Sequence, residues 1–368
     1  MLKKIVSLVI SIVLVLGIFA ACSSSETPAE SVSESASSES QPSEAATDES
    51  EASSSDGFVI AFCDNNMTET WRVQMHAEFD QRAQELQSEG VISEYYVTVA
   101  DGDSSKQISD IRDMITRGVD GIIVAVTTPS SISPVIEEAM DAGIAVVNFN
   151  ALADTDNVTS KVYQSDVEFG RVQAEWLVDK LNGKGNIIVL NGLAGNSVNN
   201  ARWSGAEEVF SQYPDIKVLG SAYAGWDYTE GKAAVESMLS AYPEIDGVWS
   251  QGGAMTQGAI DAFIANSRPL VPMTGEAGNG FLRTWKKYMG VDNFDSMAPN
   301  YTATISVTAL NTLIDALQGE DVEKDIVIPM GVVSADNIDD YYREDLPDSF
   351  WVDTQLTEEN LNKLFEAQ

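Results

Sequence analysis

Short apolar runs alternate with segments of helical spacing from residue 57 onwards. Gly57 to Phe62 is the first run, and between Thr70 and Leu86 apolar residues recur every three or four positions. Continuous apolar runs predict buried strands, whereas a spacing of three to four predicts a helix with one apolar face. Further strands are predicted at 95–100, 120–126 and 144–149, and further helices at 105–117 and 132–142. This β-α order predicts a parallel, doubly wound sheet with right-handed crossovers.

The same alternation restarts after residue 166. Helices are predicted at 167–181, 200–213, 228–242 and 255–266, with strands at 185–191, 217–224 and 247–251 between them. A chain of 368 residues is too long for one ordinary hydrophobic core. The sequence therefore predicts an α/β protein with two doubly wound parallel-sheet lobes.

The N-terminus has the pattern of an export signal. A basic start precedes an apolar stretch from Ile5 to Phe19, and two alanines precede Cys22. These features predict a signal peptide over 1–21, although an uncleaved membrane helix has nearly the same length. The Ala-Ala-Cys triplet resembles the bacterial lipobox, which implies cleavage before Cys22 and lipidation of its thiol. Acyl chains on Cys22 would attach the protein to a membrane without a spanning helix.

Residues 22–56 have the composition of a disordered stalk. From Ser23 to Asp56 the chain is rich in Ser, Glu, Ala and Thr, lacks Lys and Arg, and has almost no large apolar residue. The formal net charge of the whole chain is −36, which argues against nucleic acid as a partner because phosphate binding needs basic patches. Lipidation of Cys22 leaves Cys63 without a disulfide partner, so the fold must depend on its hydrophobic core.

Polar and aromatic residues follow the predicted strands in both halves. Ligands of parallel sheets bind outside the carboxyl ends of the strands, so these positions are candidates for a binding site. Amides donate and accept at once, a guanidinium offers several donors, and Trp offers a flat apolar face, which together suit a hydroxyl-rich ligand. The predicted ligand-binding residues are Asn65, Asn66, Trp71, Thr127, Asn150, Gln164, Asp166, Arg202, Trp226, Asp227, Gln251 and Glu276.

Several of these residues have a purely structural alternative. Trp71 and Trp226 could be core residues, since Trp is highly buried on average. Arg202 could form a surface ion pair. The amides and hydroxyls at 65, 66 and 127 could cap the helices that follow them.

The sequence contains no motif for a cofactor, a metal or catalysis, so we expect no enzymatic activity. The first strand-to-helix turn, Asp64 to Glu69, has no glycine, which excludes a dinucleotide fingerprint, and no phosphate-binding loop is present. The single histidine, His76, is expected to be a solvated or capping side chain. Asp101 to Asp103 begins like a calcium loop, but Arg112 occupies the position that requires a bidentate Glu. We expect this segment to cap a helix.

Motifs spread from Phe58 to Glu320 occur together in one family of binding proteins. They comprise Asp101 to Gln107, Gly118 to Ile123, Pro134 to Val147, Gly170, Arg202 with Gly205, Trp226 with Asp227, and Ala303 to Ile305. In this combination the chain resembles the type I periplasmic binding proteins of the ribose, galactose and xylose group. The resemblance implies discontinuous lobes joined by a three-segment hinge, with crossings near 151–156, 301–306 and 328–334. The first lobe would contain 57–152 plus 306–329, and the second 153–305 plus 330–368, including a C-terminal extension past the usual end of the family.

The resemblance also implies a function. Such a protein is a solute-binding lipoprotein of a sugar ABC transporter. Here it would be a monomer on the outer face of a Gram-positive cell membrane. It would close around a monosaccharide and deliver it to a permease. Arg202 would be the ligand arginine and Trp226 the stacking aromatic residue.

The chain departs from ribose-type members at Gly252, Gly253 and Val307, so its ligand need not be ribose. Glu276 is the expected replacement carboxylate. A polyol, a nucleoside or an autoinducer as ligand stays open, as does a sensor role in which the protein presents its ligand to a chemoreceptor or a kinase.

Overall fold

A computed structural model of the protein describes residues 57–366. The predicted signal peptide 1–21, the lipidation site Cys22 and the stalk 22–56 lie outside the described residues. Across the range that is described, no helix combines the length and the apolar character needed to cross a membrane.

The first lobe is built on a six-stranded sheet. Its strands are β1 (Phe58–Asp64), β2 (Ile92–Val99), β3 (Gly121–Val124), β4 (Ala145–Phe149), β5 (Ser160–Tyr163) and β11 (Asp325–Val327). They are parallel and lie in the order β11-β5-β4-β3-β1-β2. The helices of this lobe are α1 (Thr70–Ser88), α2 (Ser104–Arg117), α3 (Pro129–Asp141) and α9 (Ile305–Leu317). One hydrophobic cluster joins the sheet to α1 and α9, and another joins its opposite face to α2 and α3.

The second lobe repeats this arrangement. Its strands are β6 (Gly185–Asn191), β7 (Ile216–Tyr223), β8 (Gly247–Ser250), β9 (Met273–Thr274), β10 (Ser296–Asn300) and β12 (Gly331–Val333), in the order β12-β10-β9-β8-β6-β7. Only β12 is antiparallel to its neighbour. The helices are α4 (Asp166–Lys180), α5 (Ser197–Ser211), α6 (Tyr228–Ala241), α7 (Gly253–Ala265), α8 (Asn279–Tyr288), α10 (Ile338–Tyr341) and α11 (Glu358–Glu366). The predicted two-lobed, doubly wound architecture is confirmed.

Local sequence chemistry sets the bounds of these elements. Strand β3, Gly-Ile-Ile-Val, is buried along its whole length, as a strand covered on both faces of its sheet must be. At the start of α2, the Asp103 carboxylate accepts from the backbone N–H of Ser105 at 2.8 Å. Gly118 ends α2 in the left-handed conformation, with φ of 71°. The prediction that the Asp101 to Asp103 segment caps a helix is therefore confirmed.

The chain passes between the two sheets three times. The first crossing follows Tyr163, the last residue of β5, so the predicted crossing at 151–156 and the lobe boundary at 152 are wrong. The sequence did not reveal β5 because its four residues, Ser-Lys-Val-Tyr, are too few and too polar to form an apolar run. The second crossing connects β10 to α9 at 301–304, and the third connects β11 to β12 at 328–330.

One buried side chain links all three crossings. Gln164, in the first crossing, donates through Nε2 to the carbonyl oxygens of Asn300 at 3.1 Å and of Pro329 at 3.4 Å. Its Oε1 accepts from the backbone N–H of Thr302 at 2.8 Å. Gln164 was predicted to bind ligand, but its amide is used to hold the interlobe segments together.

Glu78 on α1 is a carboxyl group buried without a cation. It is 1% exposed, and its Oε1 accepts from Gln74 Nε2 at 3.1 Å and from Thr354 Oγ1 at 2.8 Å. Its Oε2 has no hydrogen-bond partner among the described residues. Burial raises the pKa of this carboxyl from 4.5 to about 7, although the hydrogen bonds from Thr354 and Gln74 oppose that increase.

Glu78 should therefore make stability decrease with pH. The unfolded chain loses this proton near pH 4.5 while the folded protein keeps it to about pH 7, so the free energy of unfolding should fall across that interval and level off above it. The loss is on the order of 3 kcal/mol. Denaturant unfolding at a series of pH values should show this slope in the wild type and lose most of it in Glu78→Gln.

Glu89→Gln is the matched control, because Glu89 ends the same helix with an exposed side chain. It should keep the slope of the wild type. An equal slope in Glu78→Gln and the wild type would show that Glu78 is not the group responsible.

Candidate ligand-binding site

The predicted site residues lie at the carboxyl ends of strands in both sheets. Asn65 follows β1, Asn150 follows β4, Gln251 follows β8 and Glu276 lies just beyond β9. Parallel sheets collect such residues at one edge, and the three crossings bring the edges of the two lobes together. The site is therefore made by both lobes.

Two glycines let α4 and α5 approach closely enough to assemble its centre. A Cβ atom at Gly170 would lie 1.7 Å from the Arg202 carbonyl oxygen, and one at Gly205 would lie 2.0 Å from the Val167 carbonyl oxygen. Both distances are far inside van der Waals contact, so only glycine permits this contact of the two helices. As a result Arg202, on α5, faces Asp166 and the first turn of α4.

The guanidinium group of Arg202 is buried between two carboxylates. Its Nε is 3.0 Å from Asp166 Oδ1 and its Nη1 is 3.0 Å from Glu276 Oε1. Nη1 also donates to the Gln251 carbonyl oxygen at 3.0 Å. The side chain is 4% exposed, and its flat face lies 3.6 Å from the centre of the Phe169 ring. A cation so deeply buried requires these partners, because an unpaired buried charge costs several kcal/mol.

The three charged groups change one another's proton affinity. Burial raises the pKa of Asp166 and of Glu276, and Arg202 opposes both shifts. Burial by itself lowers the pKa of the Arg202 guanidinium, but Glu276 and Asp166 outweigh it and raise that pKa. Arg202 is therefore always charged, and the net charge of the group is negative or, with one carboxyl protonated, zero.

A second charged group lies in the first lobe. The buried carboxylate of Asp64 is 2.8 Å from Arg72 Nη1 and 2.9 Å from His76 Nε2. His76 is 7% exposed and stacks on Phe62 at 4.5 Å between ring centres, so the expectation of a solvated or capping histidine is wrong. The periodic helix around His76 could not reveal that Asp64, twelve residues earlier, points at it.

Tyr301, in the second crossing, lies between the two charged groups. Its hydroxyl accepts from Asn150 Nδ2 at 3.2 Å, and Asn150 Oδ1 accepts from Arg72 Nη2 at 3.3 Å. Its ring lies 5.1 Å from the Arg202 guanidinium carbon. Burial, followed by the charge of Asp166, raises the pKa of the Tyr301 hydroxyl, which therefore stays protonated. Hydrogen bonds thus run from Asp64 to Tyr301, and the Tyr301 ring lies against Arg202, which is paired with Asp166 and Glu276 in the second lobe.

The indole of Trp226 occupies space left by two glycines. A Cβ at Gly192 would lie 2.2 Å from this ring, and one at Gly252 would lie 2.7 Å from it. Trp226 has a left-handed backbone, with φ of 57°, which is unfavourable for a bulky side chain. Its Nε1 is buried and has no hydrogen-bond partner within residues 57–366. Gly252, one of the positions at which the sequence departs from ribose-type members, is thus one of the two residues that make room for Trp226.

The Gln251 amide is held by its own lobe. Its Nε2 donates to Asn191 Oδ1 at 3.0 Å and to Asn199 Oδ1 at 3.1 Å. Its Oε1 is buried without a partner in the described part of the chain. Gln251 therefore has one polar atom free for a further donor.

Five of the predicted residues make other contacts. Asn65 donates to the Val126 carbonyl oxygen, Asn66 accepts from Thr68 in a local turn, and Trp71 donates through Nε1 to the Tyr301 carbonyl oxygen at 2.8 Å. The Thr127 hydroxyl bonds the Ser104 hydroxyl, and exposed Asp227 caps α6 by accepting from the N–H of Glu230. These contacts stabilise the edges of the site. The side-chain N–H groups of Asn65 and Trp71 and the Thr127 hydroxyl are already bonded within the protein.

Sequence reasoning missed two aromatic residues at the centre. Phe169 lies three positions after Asp166, so helical spacing alone places both on one side of α4 and could have revealed it. Tyr301 follows β10, which includes Pro299 and has no β-branched residue, so no strand signal pointed to it.

Comparison with known proteins places the chain in a family. A family model described as periplasmic binding protein domain matches residues 60–321. A xylitol-binding protein of Mycolicibacterium smegmatis is 34% identical over 242 residues, which cover 65% of this chain and 68% of the relative.

Solved structures agree with this family. An ABC transporter solute-binding protein of Bacillus halodurans, with bound myo-inositol, has a TM-score of 0.68 at 26% identity and covers 78% of this chain and 98% of that one. The fructose-binding periplasmic domain of a hybrid two-component system has a TM-score of 0.66 at 26% identity, over 77% and 92% of the two chains. The relatives are solute-binding proteins, not enzymes, and members of the family act outside the cytoplasm. With its two doubly wound lobes, three crossings and a charged site between them, the chain belongs to the type I periplasmic binding proteins of the sugar ABC transporter type.

Proposed function

We propose that the protein is the solute-binding lipoprotein of an ABC importer and that it binds a small neutral polyol or monosaccharide between its lobes. The single observation that carries this proposal is the buried guanidinium of Arg202, which is fixed by Asp166, Glu276 and the Gln251 carbonyl oxygen. The Trp226 indole packs on Gly252, the residue that follows Gln251. Carboxylates accept from ligand hydroxyls, and a guanidinium donates to them. The Trp226 indole supplies the apolar face that the C–H side of such a ligand needs.

Relatives support this class of ligand. One relative is a xylitol-binding protein, and one similar structure holds myo-inositol. Both are neutral molecules with several hydroxyl groups. Because the residues around Arg202 leave no net positive charge, a neutral solute fits better than an anionic one.

Ligand binding would act through the hinge. A ligand that touches both lobes shifts the equilibrium towards the closed arrangement by its difference in affinity for the two states. Tyr301 belongs to the second crossing and also adjoins Arg202 and Asn150. The permease would then recognise the closed form.

The export signal and Cys22 favour a protein held on the outer face of the cell membrane by lipid, with 23–56 as the spacer. The runner-up function is that of a sensor, since a similar structure is the periplasmic domain of a hybrid two-component system. Measuring uptake of the identified ligand by cells with and without the gene distinguishes import from sensing. Loss of the gene should abolish uptake if the protein serves an importer and should leave uptake unchanged if it serves a sensor.

Thermal-shift screening of the purified protein tests the ligand class. Xylitol, ribitol, ribose, allose, fructose and myo-inositol should include at least one compound that raises the melting temperature, since a ligand that binds only the folded state stabilises it. Gluconate and ribose 5-phosphate should not raise it, because Asp166 and Glu276 already balance Arg202. An anion that stabilised the protein more than any neutral compound would exclude the proposed ligand class.

The Trp226 indole N–H should contribute to binding. Trp226→Phe keeps an aromatic face and removes a buried donor that a ligand hydroxyl would satisfy, so the Kd of the best compound from the screen should rise about fivefold. Trp226→Ala should raise it at least about tenfold. Isothermal titration calorimetry measures both values.

Trp285→Phe is the control, because Trp285 also has a buried Nε1 without a partner among the described residues but lies in the core of the second lobe. It should leave the Kd unchanged. A Trp226→Phe protein with the affinity of the wild type would show that the Trp226 N–H does not bind the ligand.

Lipid attachment is tested at Cys22. Cys22→Ser should abolish acylation of the chain, so metabolic labelling with a fatty acid should mark the wild type and not the variant. Mass spectrometry of the wild-type N-terminal peptide should show diacylated Cys22. An unacylated Cys22 in the wild-type peptide would disprove the lipid anchor.

A further inference from the structure

The C-terminal segment 343–366, which we call the strap, is built into the second lobe. It lies beyond the residues that the family model matches, 60–321. At the start of α8, Asn279 Nδ2 donates to the carbonyl oxygens of Arg343 and Leu346 at 2.8 and 2.9 Å, and its Oδ1 accepts from the N–H of Arg343. The apolar side chains of the strap that are buried in the core of the second lobe are Leu346, Phe350, Val352, Leu356 and Leu361.

The same strap also contacts the first lobe through Trp351. Gln74 on α1 donates through Nε2 to the Trp351 carbonyl oxygen and accepts through Oε1 from its N–H, both at 2.9 Å. The Trp351 ring packs against the core of the first lobe, and its Nε1 donates to Thr70 Oγ1 at 2.9 Å. Phe350 and Val352, on either side of it, are buried in the second lobe. Successive side chains of an extended segment point in opposite directions, so the strap contacts both lobes at once.

Further contacts follow α1 towards its C-terminal end. Gln81 Nε2 donates to the Gln355 carbonyl oxygen at 2.9 Å, and Gln81 Oε1 accepts from the N–H of Thr357 at 2.9 Å and from Asn360 Nδ2 at 2.8 Å. The hydroxyl of Thr354 donates to Glu78. Gln74, Glu78 and Gln81 are spaced by four and three residues, so they form one face of α1. The polar groups of that face pair with backbone and side-chain groups of the strap.

These contacts must change when the lobes separate. The strap is fixed in the core of the second lobe, and α1 belongs to the first lobe. Rotation of the lobes away from each other therefore breaks the hydrogen bonds between the strap and α1, or it withdraws the apolar side chains of the strap from the core of the second lobe. The start of α1 also carries Arg72, which joins Asp64 to Asn150 in the site. Holding α1 therefore holds a wall of the site.

We propose that the strap is a noncovalent fourth connection between the lobes, which limits their opening and keeps α1 in place without ligand. A binding protein that already populates its competent arrangement binds with higher apparent affinity, because less of the binding free energy is used for closure. Gln74, Gln81 and Trp351 are then positioning residues for the site, although none of them touches it. The proposal does not depend on the identity of the ligand.

Distance measurement between the lobes without ligand tests the strap. Spin labels at Glu94→Cys and Lys217→Cys occupy exposed positions on β2 and β7, the sheet edges opposite the crossings, where opening displaces the lobes most. Cys22→Ser in the same chain leaves only buried Cys63 as a native thiol. Pulsed electron resonance should give one short, narrow distance distribution for this protein.

Gln81→Ala combined with Trp351→Ala removes the Gln81 hydrogen bonds and the Trp351 ring from the contact with the first lobe. It leaves intact the strap side chains that are buried in the second lobe. The fraction of molecules at longer distances should increase at least about threefold in this variant. Gln81→Ala alone should increase it less and serves as the test if the double variant does not fold. Gln87→Ala, the control, removes a hydrogen bond from α1 to Ser93 within the first lobe and should keep the wild-type distribution.

An unchanged distribution in a folded Gln81→Ala, Trp351→Ala protein would overturn the proposal. A longer population that appears equally in Gln87→Ala would also overturn it, since general loosening of α1 and not the strap would then be the cause. Failure of every compound in the ligand screen would not alter either result, so the strap and the proposed function fail separately.

Discussion

The buried guanidinium of Arg202 is the constraint on which the second lobe and the site depend. A cation at this depth is tolerated only with anionic partners and acceptors in place, and removing one partner of such a group costs about 3–5 kcal/mol. Asp166 comes from the start of α4, Glu276 from the loop after β9 and the Gln251 carbonyl from the end of β8. Satisfying Arg202 therefore fixes three elements relative to α5. Gly170 and Gly205 permit this geometry because they allow the two helices to touch through their backbones.

The site and the hinge share residues, which gives ligand binding a direct route to lobe movement. Tyr301 lies in the second crossing, yet its ring adjoins Arg202 and its hydroxyl bonds Asn150 of the first lobe. Gln164 links the first crossing to the second and the third. A ligand that repositions these side chains changes the crossings themselves. The strap adds a further contact on α1, so the extent of opening is set by noncovalent bonds as well as by the three covalent segments.

Glycines make room for aromatic rings next to the candidate site in the second lobe. Gly252 lies under the Trp226 indole, and a Cβ at Gly253 or Gly275 would collide with the Phe281 side chain. These glycines thus leave space for two aromatic rings. Two of these glycines, Gly252 and Gly253, are positions at which the chain departs from ribose-type members, which is consistent with a ligand other than ribose.

The sequence by itself determined the architecture and proposed part of the candidate site. Continuous apolar runs and helical spacing are local properties, and they were sufficient for two doubly wound lobes. Asp166, Trp226 and Glu276 were proposed as site residues from their places after predicted strands, and the family resemblance singled out Arg202 as the ligand arginine. Tertiary structure alone decided which side chains meet. It assigned Gln164 to the hinge, brought Asp64 to His76, placed Tyr301 between the lobes and moved the first crossing to the end of β5. The physical reason is that the apolar pattern of a segment reports only whether that segment is buried. Hydrogen bonds between distant segments depend on how the lobes and crossings pack, and no local pattern in the sequence encodes that packing.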